Sequence, residues 1–178
     1  MKQYIVLLRG INVGGQKKIL MADLRKILTD AEFEDVKTYI QSGNVILKSR
    51  LKNSQSVSQD VAKAIKNYFG FEVEVLTKTR EELQQIFDNC PFPQQQKEKS
   101  YFMMLFAEPN RELVSEISQI SFPDEGFVIK PDCIYMFSNA GYGKSKLNNN
   151  FFERKLKESA TARNYNTMVK LLSLSASS

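Results

Sequence analysis

The sequence predicts an α+β protein of two ferredoxin-like halves packed together. Each half is a β-α-β-β-α-β unit followed by a helix, with antiparallel or mixed sheets. Three observations carry this expectation. Strand-like and helix-like periodicities follow one another in the same order twice. A stretch rich in proline and glutamine, "PFPQQQKEK" (91–99), separates the two runs. The opening strand of each run, "YIVLL" and "YFMMLF", is apolar at both alternating sets of positions. Two-layer packing then demands cover on both faces, from the partner half or a closing helix. The halves are expected at 1–90 and 100–174, with a linker at 91–99 and a disordered tail at 175–178.

The elements follow in order. "YIVLLRG" (4–10) is an aliphatic strand. Leu20, Leu24, Ile27, Leu28 and Ala31 recur at helical spacing and mark one buried face. "VKTYIQ" (36–41) and "VILKS" (45–49) are strands joined tightly through Ser42-Gly43-Asn44. Val57, Val61, Ala64, Ile65 and Tyr68 form a second helical face, ended by Gly70. "FEVEVL" (71–76) alternates, with Phe71, Val73 and Val75 inward and Glu72 and Glu74 outward. Thr79 and Glu82 have capping-box spacing and open a helix through Leu83, Ile86 and Phe87.

The second run repeats the order. "YFMMLFA" (101–107) is a strand, and Leu113, Ile117 and Ile120 mark a helix. "GFVIK" (126–130) and "CIYMF" (133–137) form a hairpin about Pro131-Asp132. Leu147, Phe151, Phe152 and Leu156 mark a helix, "ATAR" (160–163) a short strand, and 164–174 a closing helix with Asn164 as N-cap. An RNA-recognition module fits poorly, because "NVILKS" lacks the aromatics that such a sheet exposes.

Composition narrows the chemistry. The chain has 178 residues, 42% hydrophobic and 25% charged, which are globular proportions. It contains no histidine. That removes the commonest general base, the Ser-His and Cys-His nucleophile systems and most zinc chemistry. Cys90 and Cys133 are single and far apart, so both read as packing residues in a reduced compartment. No apolar run reaches bilayer length, and Arg9 interrupts "YIVLL" at once, so a cytoplasmic protein without export signal or membrane partner is expected. The charge is uneven. Residues 1–140 hold 18 Lys and Arg against 18 Asp and Glu, so the whole excess of +5 lies after Ala140. A second basic zone, Arg9, Lys17, Lys18, Arg25 and Lys26, faces Asp23 alone. Two basic zones on a neutral body suggest localised anion sites.

Three motifs sit in or near these zones. In "LLRGINVGGQKK", the glycines allow inward-pointing N–H groups to cradle an anion, Asn12 offers an amide, and Lys17 and Lys18 supply charge. Their positions, Gly10, Gly14 and Gly15, do not fit G-x-G-x-x-G, and on spacing alone the same residues read first as a wide turn with two left-handed glycines and a solvated lysine pair. "NAGYGKSK" (139–146) contains Gly143-Lys144-Ser145 at a strand-to-helix junction, but Ser138 stands where a Walker loop needs glycine. It reads as a loose anion site or a mobile basic loop. In "TARNYNTMVK" (161–170), Arg163 either clamps a phosphate or carboxylate or ties the last helix to the body. The carboxylate pairs Glu72/Glu74 and Glu81/Glu82 read as solvated surface.

Together "LLRGINVGG", "MADLRKIL", "VKTYIQSGNVIL", "GYGKSKLNNNFFERKL" and "ATARNYNTMVKLL" resemble the bacterial domain of unknown function 1697 family, in matching order over nearly the whole chain. The resemblance implies a cytoplasmic α+β protein of ferredoxin-like character and supplies no activity, cofactor or catalytic residue. The leading expectation is a protein that binds an anionic ligand, either a phosphorylated small molecule of nucleotide type or a nucleic-acid segment. The expected ligand-binding residues are Arg9, Gly10, Asn12, Gly14, Gly15, Lys17, Lys144, Ser145, Arg163 and Asn164. The two basic regions are expected to converge. The first and third strands of a half are taken to run parallel, which would put the loops after them on one edge. The alternatives are an enzyme acting on a phosphorylated metabolite with Lys or Tyr as acid or base, and an interaction module whose glycine loop is structural.

Overall fold

A computed structural model describes residues 1–176. The chain divides into two compact units, Met1–Gln84 joined by the end of the chain from Leu171, and Gln85–Lys170. The first contains β1 (Lys2–Leu8), α1 (Met21–Asp30), β2 (Glu34–Tyr39), β3 (Asn44–Ser49), α2 (Ser54–Phe69), β4 (Val75–Lys78) and the start of α3 (Arg80–Asp88). The second contains α4 (Gln94–Lys97), β5 (Ser100–Leu105), α5 (Arg111–Ile117), β6 (Glu125–Ile129), β7 (Cys133–Ser138), α6 (Asn149–Leu156), β8 (Ala160–Asn164) and the start of α7 (Tyr165–Ser175). Among the described residues no helix is long and apolar enough to cross a membrane.

Each unit is built on a four-stranded antiparallel sheet, in the orders β2-β3-β1-β4 and β6-β7-β5-β8. These are the same order, second-third-first-fourth, so the repeated sequence pattern yields a repeated topology. In the first unit Tyr4, Val6 and Leu8 of β1 join Val45 and Leu47 of β3 in a core closed by Leu24 and Leu28 of α1 and Val57, Val61 and Ile65 of α2. Ile5 and Leu7, on the opposite face of β1, are buried as well. Both faces of that strand are therefore covered, as its continuous apolar run requires. The second unit repeats this. Met103, Leu105, Ile134 and Met136 pack with Ile117, Phe152 and Leu156, and Phe102 and Tyr135 are buried on the other face.

Helix ends follow their local chemistry. Asn53, Asn110 and Asn148 each accept a backbone N–H at the start of α2, α5 and α6. Thr79 and Glu82 form the reciprocal capping box that opens α3, at 2.7 and 3.2 Å. Gly70 ends α2 at φ +80°.

Several expectations change. The first and third strands of each unit pair antiparallel, β1 with β3 and β5 with β7. The loops that follow them therefore leave opposite edges of their sheets. The parallel partners are the first and second strands of each unit, and the inner strand of the hairpin, β3 or β7, lies between them and runs antiparallel to both. Leu20 is not on the buried face of α1. It is the extended residue before the helix, at ψ 133°, and is 71% exposed. β2 stops at Tyr39, leaving Ile40 and Gln41 in the turn. β4 begins at Val75 rather than Phe71, because the last bond along β1 is Arg9 N–H to the Glu74 carbonyl at 3.0 Å. Gly10 then turns the chain away at φ +70°. The stretch 91–99 holds the short helix α4. Ser175 is a buried residue of α7, while 177 and 178 of the expected tail lie outside the described residues.

Candidate functional site

The expected site residues fall in different units. In the first, the chain after β1 folds into a tight turn. Gln16 N–H bonds the Val13 carbonyl at 3.0 Å, and Gly14 and Gly15 stand at φ +58° and +73°. Two consecutive left-handed residues make this a type I′ reversal, which glycine adopts without steric cost. Asn12 anchors it. Its Nδ2 donates to the carbonyls of Ile19 at 3.0 Å and Gln41 at 2.8 Å, and its Oδ1 accepts Ile19 N–H at 2.8 Å. The amide that sequence offered to a ligand is thus engaged with the chain itself. Arg9 pairs with Glu74 at 2.8 Å, and Lys17 Nζ donates to the Glu72 carbonyl at 2.7 Å. The backbone N–H groups of Gly10, Gly14 and Gly15 have no hydrogen-bond partner among the described residues, and a Cβ added at any of the three would meet no atom within 4 Å.

In the second unit the loop after β7 uses its N–H groups internally. Lys144 N–H bonds the Gly141 carbonyl and Ser145 N–H the Tyr142 carbonyl, at 3.2 and 3.1 Å. Lys146 N–H donates to Glu125 Oε1 at 3.3 Å, and Leu147 N–H to Ser145 Oγ at 3.0 Å. A carboxylate of the protein sits where an anion nest would take its ligand. Ser145 is a buried clamp of the loop, and Lys144 is exposed. Arg163 is 7% exposed, and its Nη1 donates to Thr161 Oγ1 and the Ala162 carbonyl, both at 2.8 Å. Burial lowers its guanidinium to about 10, so it remains a cation at neutral pH.

Topology brings two of the motifs together. β7 and β8 both pair antiparallel with β5, so they run parallel to each other and their following loops leave the same sheet edge. There, a cleft of about 330 Å³ is lined by Ser100 and Tyr101 from the start of β5 and by Ser138, Asn139 and Tyr142 at the end of β7. Asn164, Tyr165 and Asn166 close it at the junction of β8 with α7; Lys99 also lines it, as does Glu98, whose carboxylate accepts from Gln94 Nε2 at 2.9 Å. Its aromatic groups are held in place. Tyr101 and Tyr142 stack at 4.2 Å between centroids. The Tyr142 hydroxyl accepts Asn149 N–H at 3.1 Å, and the Tyr165 hydroxyl accepts from Gln94 Nε2 at 3.3 Å. Asn164 caps α7 through Thr167 N–H at 2.9 Å. The side chains of Lys99, Asn139 and Asn166 have no partner among the described residues.

Of the ten expected site residues, Asn164 lines this cleft; Lys144, Ser145 and Arg163 do not. Asn139, Tyr142 and Asn166 lie inside the quoted motifs, beside the charged residues that the sequence singles out. Lys99 and Tyr101 lie in the expected linker and the expected strand, and only the β5–β8 pairing, Tyr101 opposite Asn164, reveals their place. The tyrosines are poorly placed for proton transfer near neutral pH. Burial raises Tyr142, and it raises Tyr135, whose hydroxyl donates to the Ile86 carbonyl at 2.6 Å. Burial likewise raises the Cys90 thiol, away from thiolate chemistry.

Comparison with solved structures finds a conserved bacterial protein from Streptococcus pneumoniae, 25% identical, with a TM-score of 0.73 and 97% of each chain covered. No curated protein matches the sequence. Residues 1–135 match the family described as "Protein of unknown function (DUF1697)". The match takes in the whole glycine loop and the Asn12 anchor and stops within β7, before the motifs at the cleft, and on it the chain belongs to the DUF1697 family.

Proposed function

We propose that this is a cytoplasmic binding protein, both halves ferredoxin-like, whose second unit takes a ring-bearing anionic ligand of nucleotide type in the Tyr101–Tyr142–Asn164 cleft. The observation that carries the reading is the convergence of the loops after β7 and β8 on one sheet edge, around tyrosines already fixed by their own partners. Preorganised rings offer a face or edge to a flat ligand at little entropic cost. The unpartnered amides of Asn139 and Asn166 match the donor and acceptor edges of a base or sugar. Lys99 and the N-terminal end of α7, which opens on the cleft at Tyr165 and Asn166, favour a phosphate.

The test is a thermal-shift and tyrosine-emission titration with AMP, GMP, ribose 5-phosphate and inorganic phosphate. The chain has seven tyrosines and no tryptophan, so its emission reports tyrosine surroundings directly. A nucleotide is expected to raise the melting temperature and change emission, and Lys99→Glu and Asn166→Ala to remove both effects. Silence of the whole panel would contradict the reading.

A second reading places the anion on the first unit's glycine loop, where the N–H groups of Gly10, Gly14 and Gly15 are unpartnered among the described residues and Lys18 is exposed. Stabilisation would then be lost in Lys18→Ala and kept in Lys99→Glu.

A further inference from the structure

The Asn12 anchor gathers more than a turn. The described residues include six large apolar side chains that are exposed, and three of them flank its hydrogen bonds. Val13 follows Asn12 and is 67% exposed, Leu20 follows Ile19 and is 71% exposed, and Ile40 precedes Gln41 and is 51% exposed. Neighbouring Cα atoms lie about 3.8 Å apart. One carboxamide therefore holds the backbones of all three within a short span, on the segment between β1 and α1 and the turn between β2 and β3. Soluble surfaces usually scatter such residues singly.

Ile40 adds a second observation. It stands at φ +48°. Among the described non-glycine residues at positive φ it alone is β-branched, the side-chain class that tolerates this region least. Strained residues of this kind concentrate at binding and switch sites. Here β2 ends two residues before the sequence pattern does, and the isoleucine stands in the turn, half exposed, rather than in the ladder.

Charge selects the occupant. Around the anchor, Arg9 is paired with Glu74 and Lys66 with Glu72, both within 2.8 Å. On the exposed turn, beside the unpartnered N–H groups of Gly14 and Gly15, Lys17 donates to the Glu72 carbonyl and its charge also acts on the Glu72 carboxylate that Lys66 holds, while Lys18 forms no ion pair among the described residues. A second copy seated two-fold on this face would set the same lysines against each other. A bilayer would meet three aliphatics and no aromatic anchor.

We infer that Val13, Leu20 and Ile40 form a docking surface for a partner protein that offers an apolar pocket rimmed by carboxylates. Ile40 is the anchor, and Lys17 and Lys18 meet the acidic rim.

The test is selection of a phage-displayed random dodecapeptide library on the full chain, followed by binding of the enriched peptides to variants. The expected peptides carry aliphatic residues flanked by Asp or Glu. They should bind at least tenfold more weakly to Ile40→Asp and to the Lys17→Glu/Lys18→Glu double variant. Ile40→Asn, which suits the left-handed backbone, should melt no lower than the parent and still lose the peptides, separating lost contact from lost fold. Absence of enrichment, or enriched peptides indifferent to these variants, overturns the proposal. So does co-sedimentation with phosphatidylserine–phosphatidylcholine vesicles that Ile40→Asp abolishes, or a dimer in sedimentation velocity that Ile40→Asp dissociates.

Discussion

Gly43 and Ile40 end the same hairpin turn with opposite accounts of a left-handed backbone. Gly43 stands at φ +85°, its carbonyl accepts Leu8 N–H at 2.8 Å, and an added Cβ would lie 2.6 Å from Leu8 Cβ. Both conformation and space demand glycine there. Gly43→Ala should lower stability by about 2–3 kcal/mol in urea denaturation, from overpacking and strain together. Ile40 meets the conformational demand without the matching residue. Ile40→Gly should raise stability by about 1 kcal/mol while weakening any partner bound at that face. If the substitution destabilised the protein instead, the side chain would be contributing packing that its exposure does not suggest. Asn12 marks the limit of sequence at this scale. An asparagine in a glycine-rich loop looks the same whether it binds a ligand or its own chain. The difference rests on the carbonyls of Ile19 and Gln41, the second 29 residues away.

At the scale of elements, local chemistry was largely legible. The Thr79–Glu82 capping box, the Gly70 stop and the Asn164 cap of α7 all follow from a few neighbouring residues, and the structure has each one. Thr79→Ala should cost about 1 kcal/mol and read out as a shift in denaturation midpoint without a change of slope. An unchanged midpoint would mean that α3 is held by its packing alone. What sequence missed here depends on pairing. The late start of β4 and the antiparallel run of β1 and β3 are set by which strand lies beside which, and a single strand's alternation does not carry that information. Leu20 shows the same limit at a helix start, where one residue outside the first turn leaves the apolar face.

Over the whole chain the repeated strand order was readable because hydrophobic period survives where residue identity does not. The candidate cleft was half readable. Two of its three walls are quoted motifs, but Lys99 and Tyr101 join them through the β5–β8 ladder. Charge also acts across the chain. Lys48 and Lys66 hold the carboxylates of Asp35 and Glu72 below their usual range, and hydrogen bonds do so for Glu81. Lowered folded-state values mean stability that is present above the ordinary values of 3.8 and 4.5 and is lost as pH falls through and below them. All three groups are solvent-exposed, so the loss should be modest, with the melting temperature level from pH 7 to 5 and declining below about pH 4.5. A melting temperature that rises on acidification through that window would reverse the sign of this account.

The central claim is that the Tyr101–Tyr142–Asn164 cleft is a binding site, and isothermal titration of AMP into the full chain, beside Lys99→Glu and Asn166→Ala, tests it most directly. The account predicts saturable one-to-one binding by the parent protein, weakened at least tenfold in either variant while their melting temperatures without ligand stay unchanged. Binding that is equally tight in the parent and both variants, or no heat from the parent at millimolar nucleotide, would contradict it.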